Sequence, residues 1–147
     1  MSGAVIAFTV PGRIVGKGRP RFAMIAGHAR AFTPAKTRNS EAMIRSLAAE
    51  ASRGAAPIST ACHVEVRIYI LAPKSWSKRK RAEAKHVTGK PDIDNLLKTA
   101  CDAMSGIIYV DDALVSAATI QRLYAGEGEQ ERVEIVVREL LSFPRAA

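Results

Sequence analysis

The chain has 147 residues, 48% of them apolar and 24% charged, with 22 Lys and Arg against 14 Asp and Glu, giving a net charge of +8 and an isoelectric point near 9.9. A chain of this size buries roughly 70% of the surface its unfolded form exposes, which suits one globular domain that needs no staples. No run approaches the roughly 20 apolar residues of a membrane-spanning helix, and the positive balance points to a polyanion, usually nucleic acid, unless it is simply a solvated basic surface.

Val5–Val10 is short, apolar and β-branched, which predicts a strand ended by Pro11-Gly12. A basic loop follows, Gly16-Lys17-Gly18-Arg19-Pro20-Arg21-Phe22. Its glycines allow close approach of backbone to a ligand, and Lys17, Arg19 and Arg21 suit phosphate; a plain surface turn fits the same residues. Ala31–Thr37 reads as a short extended segment. Ser40–Ser52 has helical spacing, with Met43, Ile44, Leu47, Ala48 and Ala51 on one core-facing stripe, Asn39 or Ser40 as cap and Gly54 as stop. Cys62–Leu71 alternates, Val64, Val66, Ile68 and Ile70 against His63, Glu65, Arg67 and Tyr69, and predicts a half-buried strand.

Lys74–Lys90 holds seven cations in seventeen residues, opposed only by Glu83. Such charge repels itself in a packed interior, so the segment reads as a mobile or partly helical basic arm. Lys78, Arg79, Lys80, Arg81 and Lys90 are its candidate DNA contacts, and a solvated charge run, the commoner meaning of such a segment by itself, fits too. Trp76 either stacks on an unpaired base or, the preferred reading, pins the arm to the body. The next helix starts at Asp92 or Asp94, with Ile93, Leu97, Ala100 and Met104 toward the core and Gly106 as its stop. Ile107–Val110, Val115–Tyr124 and Val133–Leu140 are strand candidates, the last two joined by a hairpin at Gly126-Glu127-Gly128, and Ser142–Ala147 is a frayed tail. Cys62 and Cys101 are the only cysteines; without a CxxC pair or zinc spacing they read as buried free thiols in a reducing, cytoplasmic setting. No charged stretch precedes a long apolar run near the N-terminus, so no signal peptide is expected.

The chemistry concentrates in Lys90-Pro91-Asp92-Ile93-Asp94-Asn95-Leu96-Leu97-Lys98 and in Asp111-Asp112. Within a regular helix the Asp92 and Asp94 side chains point roughly 200° apart. If the chain is extended at Asp92 and helical by Asp94, the two carboxylates can converge, favoured by the helix N-terminus. Lys98 shares the face of Asp94, opposite the apolar stripe, and Asp102 continues that face. One of Asp111 and Asp112 can return to the same pocket, because adjacent strand residues point to opposite faces. Gathered carboxylates require a cation, and hard divalent ions with oxygen ligands supply one, with Mg²⁺ keeping positions open for water and phosphate. Such a site hydrolyses phosphodiesters, with Lys98 placed to stabilise developing charge. From these residues alone, ordinary helix-cap and turn aspartates remain an equal reading.

KPDIDNLLKTACDAMSGIIYVDDALV resembles the signature of the RusA family of crossover-junction endodeoxyribonucleases, known from bacteria and phages. GKGRPRF followed by AFTPAKTRNSE is similar to the N-terminal region of its phage-type members, and KSWSKRKR to their basic arm, so the resemblance runs from about Val5 to Val115. It implies a RusA-like α+β subunit, a mixed β-sheet with two main helices packed on it, forming one domain over residues 1–147 and acting as a homodimer. It further implies nicking of two strands of branched, four-way DNA with Mg²⁺ (or Mn²⁺), in recombination and repair. Carried over residue by residue, catalysis falls to Asp92, Asp94, Lys98 and Asp112 and ion ligation to Asp92, Asp94 and Asp112, with Asp111 and Asn95 as accessories. Many members carry Gln two residues after the Asp-Asp pair where this chain has Leu114, which puts a polar role there in doubt. Two other activities compete: a nuclease specific for forks or flaps, and a noncatalytic DNA-binding module.

Overall fold

The computed structural model describes residues 3–16, 21–32 and 35–141. Its centre is strand β4 (Cys62–Ile70), whose alternation is the clearest in the chain: Cys62, Val64, Val66 and Ile68 are buried while the residues between them stay more open. β6 (Arg132–Glu139) repeats the pattern with Val133, Ile135 and Val137. With β1 (Val5–Pro11) and β5 (Val115–Tyr124) these make a mixed sheet of order β1-β6-β4-β5, in which β4 and β5 run parallel and the other neighbours antiparallel.

Two long helices complete the core. α1 (Ala35–Ala51) inserts Ile44 and Ala48, and α3 (Ile93–Met104) inserts Leu96, Ala100, Ala103 and Met104. A short helix α2 (Lys78–Glu83) lies within the basic segment, and β2 (Arg21–Ile25) and β3 (His28–Phe32) form a separate hairpin. The turn of that hairpin, Ala26-Gly27, has positive φ at both residues, the geometry of a two-residue hairpin loop. The α+β class, the mixed sheet and the two main helices agree with expectation; α2 and the β2–β3 hairpin are additions to it. No helix among the described residues is long and apolar enough to cross a membrane.

Several local expectations are corrected. Gly126–Gly128 does not close a hairpin, because β5 and β6 lie on opposite sides of β4. Parallel β4 and β5 need a crossover, which α2 and α3 provide, and β6 then pairs with the other edge of the most apolar strand. Ile107–Val110 is a turn, not a strand: Ile107 and Ile108 both donate backbone N–H to the Met104 carbonyl at 3.0 Å, with Gly106 at φ 82°. Four apolar residues do not reveal their period, and this turn buries Ile108 and Tyr109. α1 begins at Ala35 rather than near Ser40, because Ala, Lys and Arg before the apolar stripe favour helix without adding to its periodicity. Of the expected core stripe, Ile44 and Ala48 are buried and Leu47 half-buried, while Met43 and Ala51 are exposed.

Candidate active site

The N-terminal end of α3 is built as the sequence suggests. Asp92 is extended (φ −68°, ψ 146°) and caps the helix, while Asp94 already lies in its first turn. The Asp92 side chain makes no cap bond and instead pairs with Lys90 Nζ at 2.8 Å. The hydrogen bond and charge of Asp92, reinforced by the charge of Asp94, hold the Lys90 ammonium above its ordinary range. Lys98 follows Asp94 by one turn, and both are exposed. Asn95 is half-buried, and its carbonyl accepts the Thr99 hydroxyl at 3.1 Å. The backbone of Gly16 packs on this turn, where an added Cβ would meet that of Pro91 at 3.4 Å. The basic loop that starts there therefore begins beside the acidic turn.

The core face of α3 is rotated from the expected stripe. Leu96, Thr99, Ala100, Ala103 and Met104 are buried, while Ile93 is 41% exposed and Leu97 only half-buried. Thr99 is tolerated in the core because its hydroxyl bonds within the helix, and Ala103 allows the helix to approach closely.

The second acidic group stands at the other end of α3. Asp111 caps a 3-10 turn over Asp112–Leu114 by accepting the Ala113 N–H at 2.9 Å, and the Asp112 N–H donates to Ser105 Oγ at 3.2 Å. Hydrogen bonds with Asp111 and then Asp102 push the Asp112 carboxyl above its usual range, while the Ala113 amide holds Asp111 below it. Eight residues of helix separate Asp94 from Asp102, a rise of about 12 Å. One chain thus places Asp92 and Asp94 beside Lys90 at the start of α3, and Asp112 with Asp111 and Asp102 at its other end. Among the described residues, no group of three or more His, Cys, Asp or Glu side chains is arranged to hold a metal ion.

The turn between α3 and Asp111 is tied down from inside. Buried Tyr109 donates its hydroxyl to the Cys101 carbonyl at 2.6 Å. Burial pushes the Cys101 thiol up to about 11 and also raises that of Cys62; both are free, Cys62 buried as expected and Cys101 only half-buried.

The basic segment is partly helical and anchored. Ser77 caps α2 by accepting the Lys80 N–H at 3.1 Å. Trp76 packs edge-on against Tyr124 of β5 with ring centres 5.2 Å apart, and Lys80 Nζ lies 4.3 Å from the Trp76 ring centre. Trp76 therefore pins the arm to the body, the preferred expectation. Lys78, Arg79, Lys80 and Arg81 stay exposed on α2. Beyond it the chain runs along the end of β5: Tyr124 N–H donates to Lys85 O and Val87 N–H to Arg122 O, both at 3.0 Å. Arg122 then donates from Nη1 to the Pro91 carbonyl, also at 3.0 Å. Sequence reading missed Arg122, because nothing local in a strand residue signals a contact 31 positions away. Lys17 and Arg19 lie outside the described residues; Arg21 opens β2, and its side chain is not among those described.

Comparison with known proteins places nearly the whole chain in a family. Residues 11–138 match the family described as endodeoxyribonuclease RusA. A Bacillus subtilis (strain 168) protein named "Uncharacterized protein YqaN" is 33% identical over 141 residues, covering 92% of this chain and 96% of its own length. The chain belongs to the RusA endodeoxyribonuclease family.

Proposed function

We propose that this member of the RusA endodeoxyribonuclease family is a divalent-metal-dependent homodimer, one endonuclease domain per subunit, that resolves four-way DNA junctions by symmetric nicks. The observation that carries the reading is the start of α3: an extended Asp92, a helical Asp94 and Lys98 one turn further on, exposed on a protein of net charge +8. Carboxylates are costly at a DNA-facing surface unless a cation offsets their repulsion of phosphate. Asp92, Asp94 and Asp112 have the oxygen donors that Mg²⁺ or Mn²⁺ prefers. When bound, the ion supplies Lewis acidity and an activated water for phosphodiester hydrolysis. Asp92 and Asp94 orient it, Lys98 stabilises negative charge on the phosphate or leaving oxygen, and Asp111 supports Asp112.

The separation of the two acidic groups fits an assembly of two chains. Among the described strands β5 pairs only with β4, and on its other edge the 85–87 segment covers just the Arg122–Tyr124 end. Because Arg122 and Tyr124 turn their polar backbone groups outward to Val87 and Lys85, the two-residue alternation turns those of Ala118 and Ile120 outward too. A second copy running antiparallel along that edge carries its Asp111 and Asp112 toward the Lys90–Asp94 turn of the first. Two equivalent sites related by a two-fold axis match the two equivalent strands of a four-way junction. Lys78–Arg81, Lys90 and the Lys17–Arg21 loop supply phosphate contacts.

The test is Asp94→Asn assayed on junction, fork and flap DNA. The variant is expected to lose more than about 100-fold in junction nicking, beyond what weakening a ligand's support costs, while junction binding persists or tightens. Unchanged nicking by Asp94→Asn sinks the assignment. Wild-type protein that cuts forks or flaps in preference makes it a nuclease of another specificity, and protein that binds without cutting makes it a binding module.

A further inference from the structure

The geometry points to Arg122 as a positioning residue that holds the Lys90–Asp94 turn in register with the basic arm. Its guanidinium donates to the Pro91 carbonyl at 3.0 Å, one residue before the helix cap Asp92. The Arg122 carbonyl accepts the Val87 N–H, also at 3.0 Å, so one residue of β5 grips the connecting segment at two points, four residues apart. Two residues further along the strand, Tyr124 holds Trp76 edge-on and binds Lys85 through its N–H. The end of β5 thus forms a rail on which the arm, the connection and the acidic turn are all fastened.

The physical need for such a grip is evident at the turn. Asp92 lacks a side-chain cap bond, and the residues from Thr88 to Asp94 are exposed, with Gly89 at φ 100°. An exposed turn bearing two carboxylates and no apolar anchor of its own would sample many orientations. Arg122, half-buried on the strand, has a planar fork suited to fixing a carbonyl, and losing one such charged hydrogen bond loosens the turn rather than the core. Arg122 therefore acts on the ion site through Pro91 and Asp92, not by touching DNA or ion, and this role rests on reading Asp92 and Asp94 as ion ligands.

Arg122→Met keeps the aliphatic stem and removes the fork; Arg122→Lys restores a donor. Amide hydrogen exchange on the metal-free protein reads the grip directly. The Leu96 amide, bonded to the Asp92 carbonyl at 3.3 Å, is expected to exchange about fivefold faster in Arg122→Met, the effect of one lost hydrogen bond. The Val87 amide, bonded to the Arg122 backbone, is expected to stay unchanged. In junction nicking the Mg²⁺ concentration for half-maximal rate should rise on the order of 10- to 100-fold, with junction affinity within about twofold of wild type and partial recovery in Arg122→Lys. Unchanged Leu96 exchange overturns the proposal. So does a loss confined to junction affinity with a shallower salt dependence, which would make Arg122 a phosphate contact. If the wild-type protein nicks no DNA, the nuclease reading fails, and Leu96 exchange still decides whether Arg122 holds the turn.

Discussion

The two faces of α3 are made from one twelve-residue sequence and do different work. Leu96, Thr99, Ala100, Ala103 and Met104 are buried against the sheet and α1, and they set how firmly the helix sits. Asp94 and Lys98, interleaved with them, face solvent and bury nothing. If the proposed roles of Asp94 and Lys98 hold, stability and chemistry are separable at spacings of one or two residues, because a helix sends neighbouring side chains about 100° apart. Substitutions on one face should leave the other's property alone, and this makes the contrast easy to break if it is wrong.

Met104→Ala should give the largest effect. It empties a fully buried site and is expected to cost about 2–5 kcal/mol in denaturant unfolding, with nicking per folded molecule retained. Lys98→Met is the mirror experiment: a rate loss of roughly 100-fold or more, the scale of removing one donor to a developing charge, with an unchanged melting temperature. A Lys98 variant that melts early, or a Met104 variant that folds but cannot cut, would show that the two faces are coupled. The smallest effect belongs to α2, which has no buried residue. Replacing Lys78, Arg79, Lys80 and Arg81 with Gln should leave both melting temperature and saturated nicking rate intact. It should flatten log affinity against log salt by about 0.9 per lost phosphate contact. An unchanged slope means that α2 is a solvated charge run.

Much of this could be read from the sequence, and the misses share a physical cause. β1, β4, β5 and β6 announce themselves because β-branched, apolar runs favour extended chain, and β4 alternates over its whole length as a half-buried strand must. The start of α3 was legible to within Asp92 or Asp94, because proline and acidic residues favour the beginning of a helix; the coordinates place the cap at Asp92. The rotation of the α3 core face was not, since Ile93 looks apolar but overhangs the packed layer in the first turn, while Thr99 looks polar but satisfies itself inside the helix. Strand partners were also hidden: alternation fixes which face a residue occupies, not which neighbour it pairs with, so the parallel match of Val64 with Ala118 had to come from coordinates. The proposed site could be named in sequence as a set of residues but not as a place, because the sequence does not reveal that α3 lies between Asp94 and Asp112.

Tyr109 gives the chain one stretch whose length is fixed. Its phenol reaches back eight residues to the Cys101 carbonyl, and its backbone carbonyl accepts the Gly106 N–H at 2.7 Å. Asp111 follows two residues later, so its place in space is measured out by a ruler running from the helix end through the hydrogen bond of a buried ring. Adding or deleting a residue between Gly106 and Val110 would move the carboxylates off that ruler. Among the described residues, the exposed connection from Gly126 to Gln130 is held only by its own turn and by Arg132 at the surface, and relatives that differ in length have freedom to differ there.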